Sequence, residues 1–237
     1  MNGVGITGER IPYLLNGDEW ITGILVLCFL MTSYVLSHGR SMLFQSIRML
    51  FSNHGIDHIF HKQTTVDNYC LLLLNLQTCL LVSVLLLKYL IDVPESGLSA
   101  SFTSSAASVF LGYYIGVTAL YLVIKRIGYK FINWVFFDKV KNKLWLESYF
   151  FVISIFGMLL LPVTLLIVYG DFPFYINVII PVFLFFLMNL FFIYKCFSIF
   201  FSQLHGWFYL FLYFCTLEVL PFLVVWKGIA MVNDILL

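Results

Sequence analysis

The chain has 237 residues, of which 62% are hydrophobic, 19% aromatic and only 11% charged. A soluble domain carries about 25% charged residues to cover its surface, so 13 Lys+Arg and 12 Asp+Glu exclude a soluble globular body of this size. The 26 Phe and 14 Tyr suit a hydrocarbon interior and its interfaces, and the net charge of +1 matters less than where the basic residues fall.

Before the first apolar run the basic residue is Arg10, set against Glu9, Asp18 and Glu19. That lacks the basic start of a cleavable signal peptide, and the N-terminus is expected to be retained. A spanning helix needs roughly 20 mostly apolar residues to cross about 30 Å. The first such run is 20–37. After it, "RSMLFQSIRMLF" places Leu43, Ile47, Leu50 and Phe51 on one stripe with Arg40 and Arg48 beside it, the pattern of a helix lying along a leaflet.

Next comes "NHGIDHIFHK", with His54, Asp57, His58 and His61 at i, i+3, i+4 and i+7. A helix would align all four, and imidazoles at i and i+4 can share a zinc ion. Gly55 weakens that helix and no outside ligand pair is identifiable. An interfacial helix with histidines at headgroup level, or a pH-responsive surface, needs no metal.

The second run is 69–91, followed by "ESGLSASFTSSAAS", read as a flexible loop leading into a third run, 106–124. Between the third and fourth runs lies "KRIGYKFINWVFFDKVKNK". Its basic residues Lys125, Arg126, Lys130, Lys139, Lys141 and Lys143 alternate with Tyr129, Phe131, Trp134, Phe136 and Phe137. This mixture could stack on nucleic-acid bases. It equally suits anionic headgroups or a docking partner, and two flanking spans favour those over nucleic acid.

The fourth and fifth runs, 147–169 and 174–194, are divided by "YGDFPF", where Gly170 and Pro173 break the helix and Asp171 holds the turn at the headgroups. The sixth run is 206–226. Loops one–two, three–four and five–six hold ten basic residues, against three on the opposite side (Arg10, Lys88 and Lys227). The positive-inside rule therefore puts those loops in the cytoplasm and both termini outside.

The sixth run contains Glu218, with no Lys or Arg nearer in sequence than Lys227. At about 1.5 Å per residue, Glu218 lies roughly 18 Å from the cytoplasmic end of its span, and Pro162 and Pro181 roughly 20–23 Å from the same face. Pro221 follows Glu218 on the same side of its helix. These prolines release the carbonyls of Met158, Asn177 and Leu217, for which lipid offers no donor. A protonated Glu218 could supply one. An intramembrane acid is by default a functional-site hypothesis; the plainer reading is that it bonds a neighbouring helix and fixes packing.

Among other polar residues, Asn75, Gln77, Ser83, Tyr113, Tyr114 and Asn189 could bond across helices, and Gly112 with Gly116 forms a small-xxx-small pair permitting close approach. Trp20, Trp145, Trp207 and Trp226 fall near span ends, as an aromatic belt requires. The five cysteines show no metal-like spacing and read as small buried hydrophobes.

At "WFYLFLYFCTLEVLPFLVVWK", with Cys215, Glu218 and Pro221 in a Leu/Cys-x-x-Glu-hydrophobic-x-Pro pattern, the chain resembles the domain of unknown function 4271 family of Bacteroidota membrane proteins. "LLLLNLQTCLLVSVLLL" in the second run agrees with it. The resemblance implies a bacterial inner membrane and no established activity.

The expected fold is all-α: one domain, 1–237, forming a polytopic transmembrane helix bundle of about six spans with an interfacial amphipathic cytoplasmic helix. The expected function is non-enzymatic, a partner-binding or assembly component of the inner membrane. The alternative is a small carrier or proton-linked transporter using Glu218. An intramembrane enzyme acting on lipid lacks paired Asp residues in spans, a membrane-embedded His-rich motif and a Ser–His pair at similar depth. No cofactor is implied. The expected partners are the bilayer and a membrane or cytoplasmic protein.

Overall fold

A computed structural model describes residues 15–40, 43, 65–92, 104–136, 139–170 and 172–200, with isolated positions at 223, 227 and 228. A 3-10 turn, Leu15–Gly17, precedes five helices: α1 (Glu19–His38), α2 (Thr65–Asp92), α3 (Ser104–Phe136), α4 (Lys139–Tyr169) and α5 (Phe174–Phe200). No strand occurs among the described residues. All five helices are long and apolar enough to cross a membrane, the physical character of a membrane protein. In hydrocarbon only a helix or a closed barrel satisfies every backbone donor and acceptor internally.

Each expected run from the first to the fifth lies within one of these helices. The sixth run, 206–226, and the amphipathic segment after Arg40 lie outside the described residues, apart from helical backbone at Leu43 and Leu223.

Two helices form the centre. On α2, Leu74, Leu81, Val84 and Leu87 are fully buried; on α4, Leu160 and Ile167 are. Around them, α1 contributes Ile21, Leu25 and Cys28, and α3 contributes Ala107, Leu111 and Tyr114, to one continuous core. α5 packs on α4 and turns an apolar stripe of Ile179, Val182, Phe183 and Phe186 outward. In water such a stripe is a liability. Against lipid chains it needs no cover.

The chain runs up and down, so that helix ends meet at two levels. At one, Asp18 caps α1 by accepting from Trp20 N at 3.2 Å and accepts from Ser104 Oγ of α3 at 3.0 Å. There too Tyr169 of α4 donates to Thr22 of α1 at 3.0 Å. On the same level Asn177 of α5 donates to Asp92 of α2 at 3.1 Å, and Lys88 pairs with Asp92 at 2.9 Å. At the other level, Gly39 after α1 lies against Cys70 of α2, and aromatic side chains of α3, α4 and α5 converge.

Two expectations change. The stretch 125–143 is not a loop: α3 continues to Phe136 and α4 starts at Lys139. Lys, Arg and Asn lower the hydropathy there, but Lys and Arg are good helix formers, so apolarity stops before the helix does. Similarly, α3 starts inside the Ser-rich stretch, at Ser104. The Gly112–Gly116 pair brings no helix close, because a Cβ at either position meets nothing within 4 Å among the described residues. The close approach lies elsewhere, at Gly157.

Candidate functional site

Lys125 lies 21 residues into α3, about 32 Å from its start, near the limit of a hydrocarbon core of about 30 Å. It was expected on a docking or lipid-facing surface, yet it is 1% exposed. Helical side chains lean toward their own N-terminus. Here that lean sends the ammonium back over the Tyr121 ring, at 4.8 Å from the centroid, and toward Tyr149 of α4 at 5.9 Å. A lysine near a membrane surface usually snorkels outward. Lys125 points the other way.

The cage around it is built by three helices. Tyr149 stacks on Phe192 of α5 with centroids 4.6 Å apart and meets Tyr129 of α3 at the same separation. Tyr129, Tyr149 and Phe192 are all nearly fully buried, with Val152 and Ile153 below them. Each face-on cation–ring contact is worth about 0.5–1 kcal/mol exposed and about 2 or more when desolvated. The cage therefore holds a fixed cation beside tyrosine rings where α3, α4 and α5 meet.

Beyond it the two helices continue as a basic hairpin. Arg126 lies over the Phe150 ring at 4.9 Å and is exposed, as is Lys130. Lys139, Lys141 and Lys143 fall on the first turns of α4. Of the six basic residues singled out in the sequence, Lys125 is thus separated from the others by burial.

Pro162 sits inside α4 and Pro181 inside α5. Pro162 is exposed and Pro181 half-buried among the described residues. Glu218 and Pro221 lie outside the described residues, as do His54, Asp57, His58 and His61.

A second polar feature went unread as a unit. Three consecutive residues of α2 each bind a different neighbour. Gln77 accepts from Thr32 of α1 at 2.9 Å and donates to the Gly157 carbonyl of α4 at 3.4 Å. Thr78 donates to its own-helix Leu74 carbonyl at 2.8 Å and reaches Ile153 O of α4 at 3.3 Å. Cys79 donates to Thr118 of α3 at 3.2 Å, where Ser83 also meets Thr118 at 3.0 Å. Asn75 reaches Ser154 of α4 at 3.4 Å.

This belt fastens α2 to three helices at mid-depth, where lipid supplies no competing partner. Asn75, Gln77 and Ser83 act across helices as expected, whereas Asn189 bonds its own Phe185 carbonyl. Cys28, Cys70 and Cys79 are buried thiols. Thr32, Thr78, Thr118, Ser154 and Gly157 were missed, since small residues in an apolar run leave its hydropathy nearly unchanged.

Compared with known families, the chain matches the domain of unknown function family DUF4271 over residues 21–229. It belongs to that family. The match runs from the first turn of α1 past α5 and takes in the Cys215, Glu218 and Pro221 motif. No curated protein and no solved structure matches the chain. For this DUF4271 member the family supplies membership without an activity, and the reading of function rests on the residues above.

Proposed function

We propose that this DUF4271 protein is a non-enzymatic component of the bacterial inner membrane that docks another membrane or cytoplasmic protein through the basic hairpin joining α3 and α4. The supporting observation is length. α3 has 33 residues, about 50 Å, and α4 has 31, about 46 Å. A hydrocarbon core needs only about 20. Because Asp18, Ser104, Asp92, Tyr169 and Asn177 align the helices at the opposite end, the surplus emerges as a hairpin carrying Arg126, Lys130, Lys139, Lys141 and Lys143.

The positive-inside rule places this end in the cytoplasm. A rigid helical hairpin presents charge in fixed register, which favours steering and specificity at a partner surface. The mid-depth polar groups support a static role as well. The belt residues bond neighbouring helices or their own backbone rather than converging on one point. Among the described side chains, the carboxylates Asp18, Glu19 and Asp92 all sit at helix ends.

Charge reversal tests it. Lys139→Glu with Lys141→Glu and Lys143→Glu should remove a protein that co-purifies with the wild type in mild detergent, while the bundle keeps its unfolding transition. A wild-type protein that captures no partner, or a triple variant that keeps it, defeats the proposal.

A further inference from the structure

The caged lysine and the acid in the last apolar run pose the same physical problem from opposite sides. An ionised side chain held in a low-dielectric interior is costly, and such groups in membranes pair with one another or face water. We propose that residues 206–226 pack as a helix against the α3–α4–α5 junction and that Glu218 is the anionic neighbour of Lys125.

Four observations on different parts of the chain converge here. The family match extends to residue 229, so the last apolar run belongs to the same domain as the five helices. α5 ends at Phe200, at the Lys125 level of the bundle, and only residues 201–205 separate it from that run. Connections this short join antiparallel neighbours, which sends the run back along the bundle from the lysine end.

Depth agrees as well. Phe192 lies eight residues before the end of α5, about 12 Å in. The Lys125 ammonium is displaced a further turn inward over Tyr121, reaching about 17 Å on the 5.4 Å pitch. Glu218 is twelve residues into its run, about 18 Å from the same end.

Charge is the fourth. Glu218 is the sole acidic residue in 206–226, and no basic residue occurs there. The inward lean of Lys125, against the usual snorkelling direction, is what an attracting carboxylate at that depth produces. The tyrosine rings would then flank an ion pair rather than a lone cation.

The test is a double-mutant cycle on the full chain in detergent or nanodiscs, read by thermal unfolding. Lys125→Met and Glu218→Gln should each lower Tm by roughly 10 °C, the range expected when one partner of a buried pair is removed. The doubly neutral protein should regain most of that loss, and the swap Lys125→Glu with Glu218→Lys should restore more than either reversal alone. Additive losses would mean that lipid or another protein covers the cage.

Should a single variant fail to fold, the wild type itself carries a second measurement. A membrane-permeant carbodiimide, which joins a carboxylate to a contacting amine, should yield a Lys125–Glu218 cross-linked peptide by mass spectrometry. Recovery of Glu218 only as the unlinked acylurea overturns the proposal.

Discussion

Gly157 of α4 leaves room for the hydroxyl of Thr78 on α2: a Cβ at position 157 would collide with Thr78 Oγ1 and stand 3.3 Å from the Leu74 carbonyl. The two central helices touch backbone to side chain at this point, the geometry that small residues permit between membrane helices. Gly157→Ala should therefore destabilise the bundle by about 1–3 kcal/mol, as overpacking does. Combination with Thr78→Ala should recover part of that loss. Equilibrium unfolding in mixed micelles reads both, and an unchanged Gly157→Ala midpoint contradicts the contact.

Gln77 joins three helices through one side chain. Replacement by Leu keeps much of the volume and removes both interhelical bonds. Bonds of this kind average about 0.6 kcal/mol and reach about 1.7, so Gln77→Leu should lose roughly 1–2 kcal/mol. Thr32→Val, which removes only the α1 link, should lose less. Equal losses from the two variants would show that the link to Gly157 contributes nothing.

Thr118 gathers Cys79 and Ser83 of α2 onto α3 while donating to its own Tyr114 carbonyl at 2.8 Å. Thr118→Val preserves shape but leaves Ser83 with only its own-helix acceptor, the Cys79 carbonyl. The expected loss is about 0.5–1.5 kcal/mol, measured in the same unfolding assay. Thr118→Ser should come close to wild type.

Asp92 accepts from both Lys88 and Asn177, and its side chain is 19% exposed. Asp92→Ala should loosen the α2–α5 end by about 1–3 kcal/mol, because it strands the buried Asn177 amide. Lys88→Ala should cost less, about 0–1 kcal/mol, since a half-exposed pair is screened. Hydrogen exchange at the first turn of α5 should rise in the first variant and stay near wild type in the second.

The sequence and the structure agree where a single physical quantity decides the matter. Five helices follow from apolar length alone, because hydrocarbon accepts little else. The turn before α5 follows from Gly170 and Pro173, whose neighbours leave no space for a Cβ at 170. The extent of α3 and α4 did not follow, since charge marks where lipid ends rather than where helix ends. Nor did the burial of Lys125: its position near a span end suggested a surface, and only the three-helix aromatic cluster shows the inward lean. Gly112 and Gly116 carried the motif for close approach, while the approach occurs at the unmarked Gly157.

The docking account also makes a prediction about salt. Contacts made by exposed Arg126, Lys130 and the lysines of α4 are screened as the Debye length falls from about 8 Å at 0.15 M to about 3 Å at 1 M. Partner capture should fall steeply over that range while the Tm of the bundle changes little. Capture insensitive to salt would point to an apolar interface instead.

Sidedness tests the central claim most directly. In a cysteine-free background, Lys141→Cys on α4 and Tyr175→Cys on α5 mark the two ends of the bundle. A membrane-impermeant maleimide should label position 175 in intact cells with a permeabilised outer membrane, and position 141 only in inverted inner-membrane vesicles. Labelling of position 141 from outside the cell, or of both positions from one side, would contradict a cytoplasmic basic hairpin on a membrane-spanning bundle.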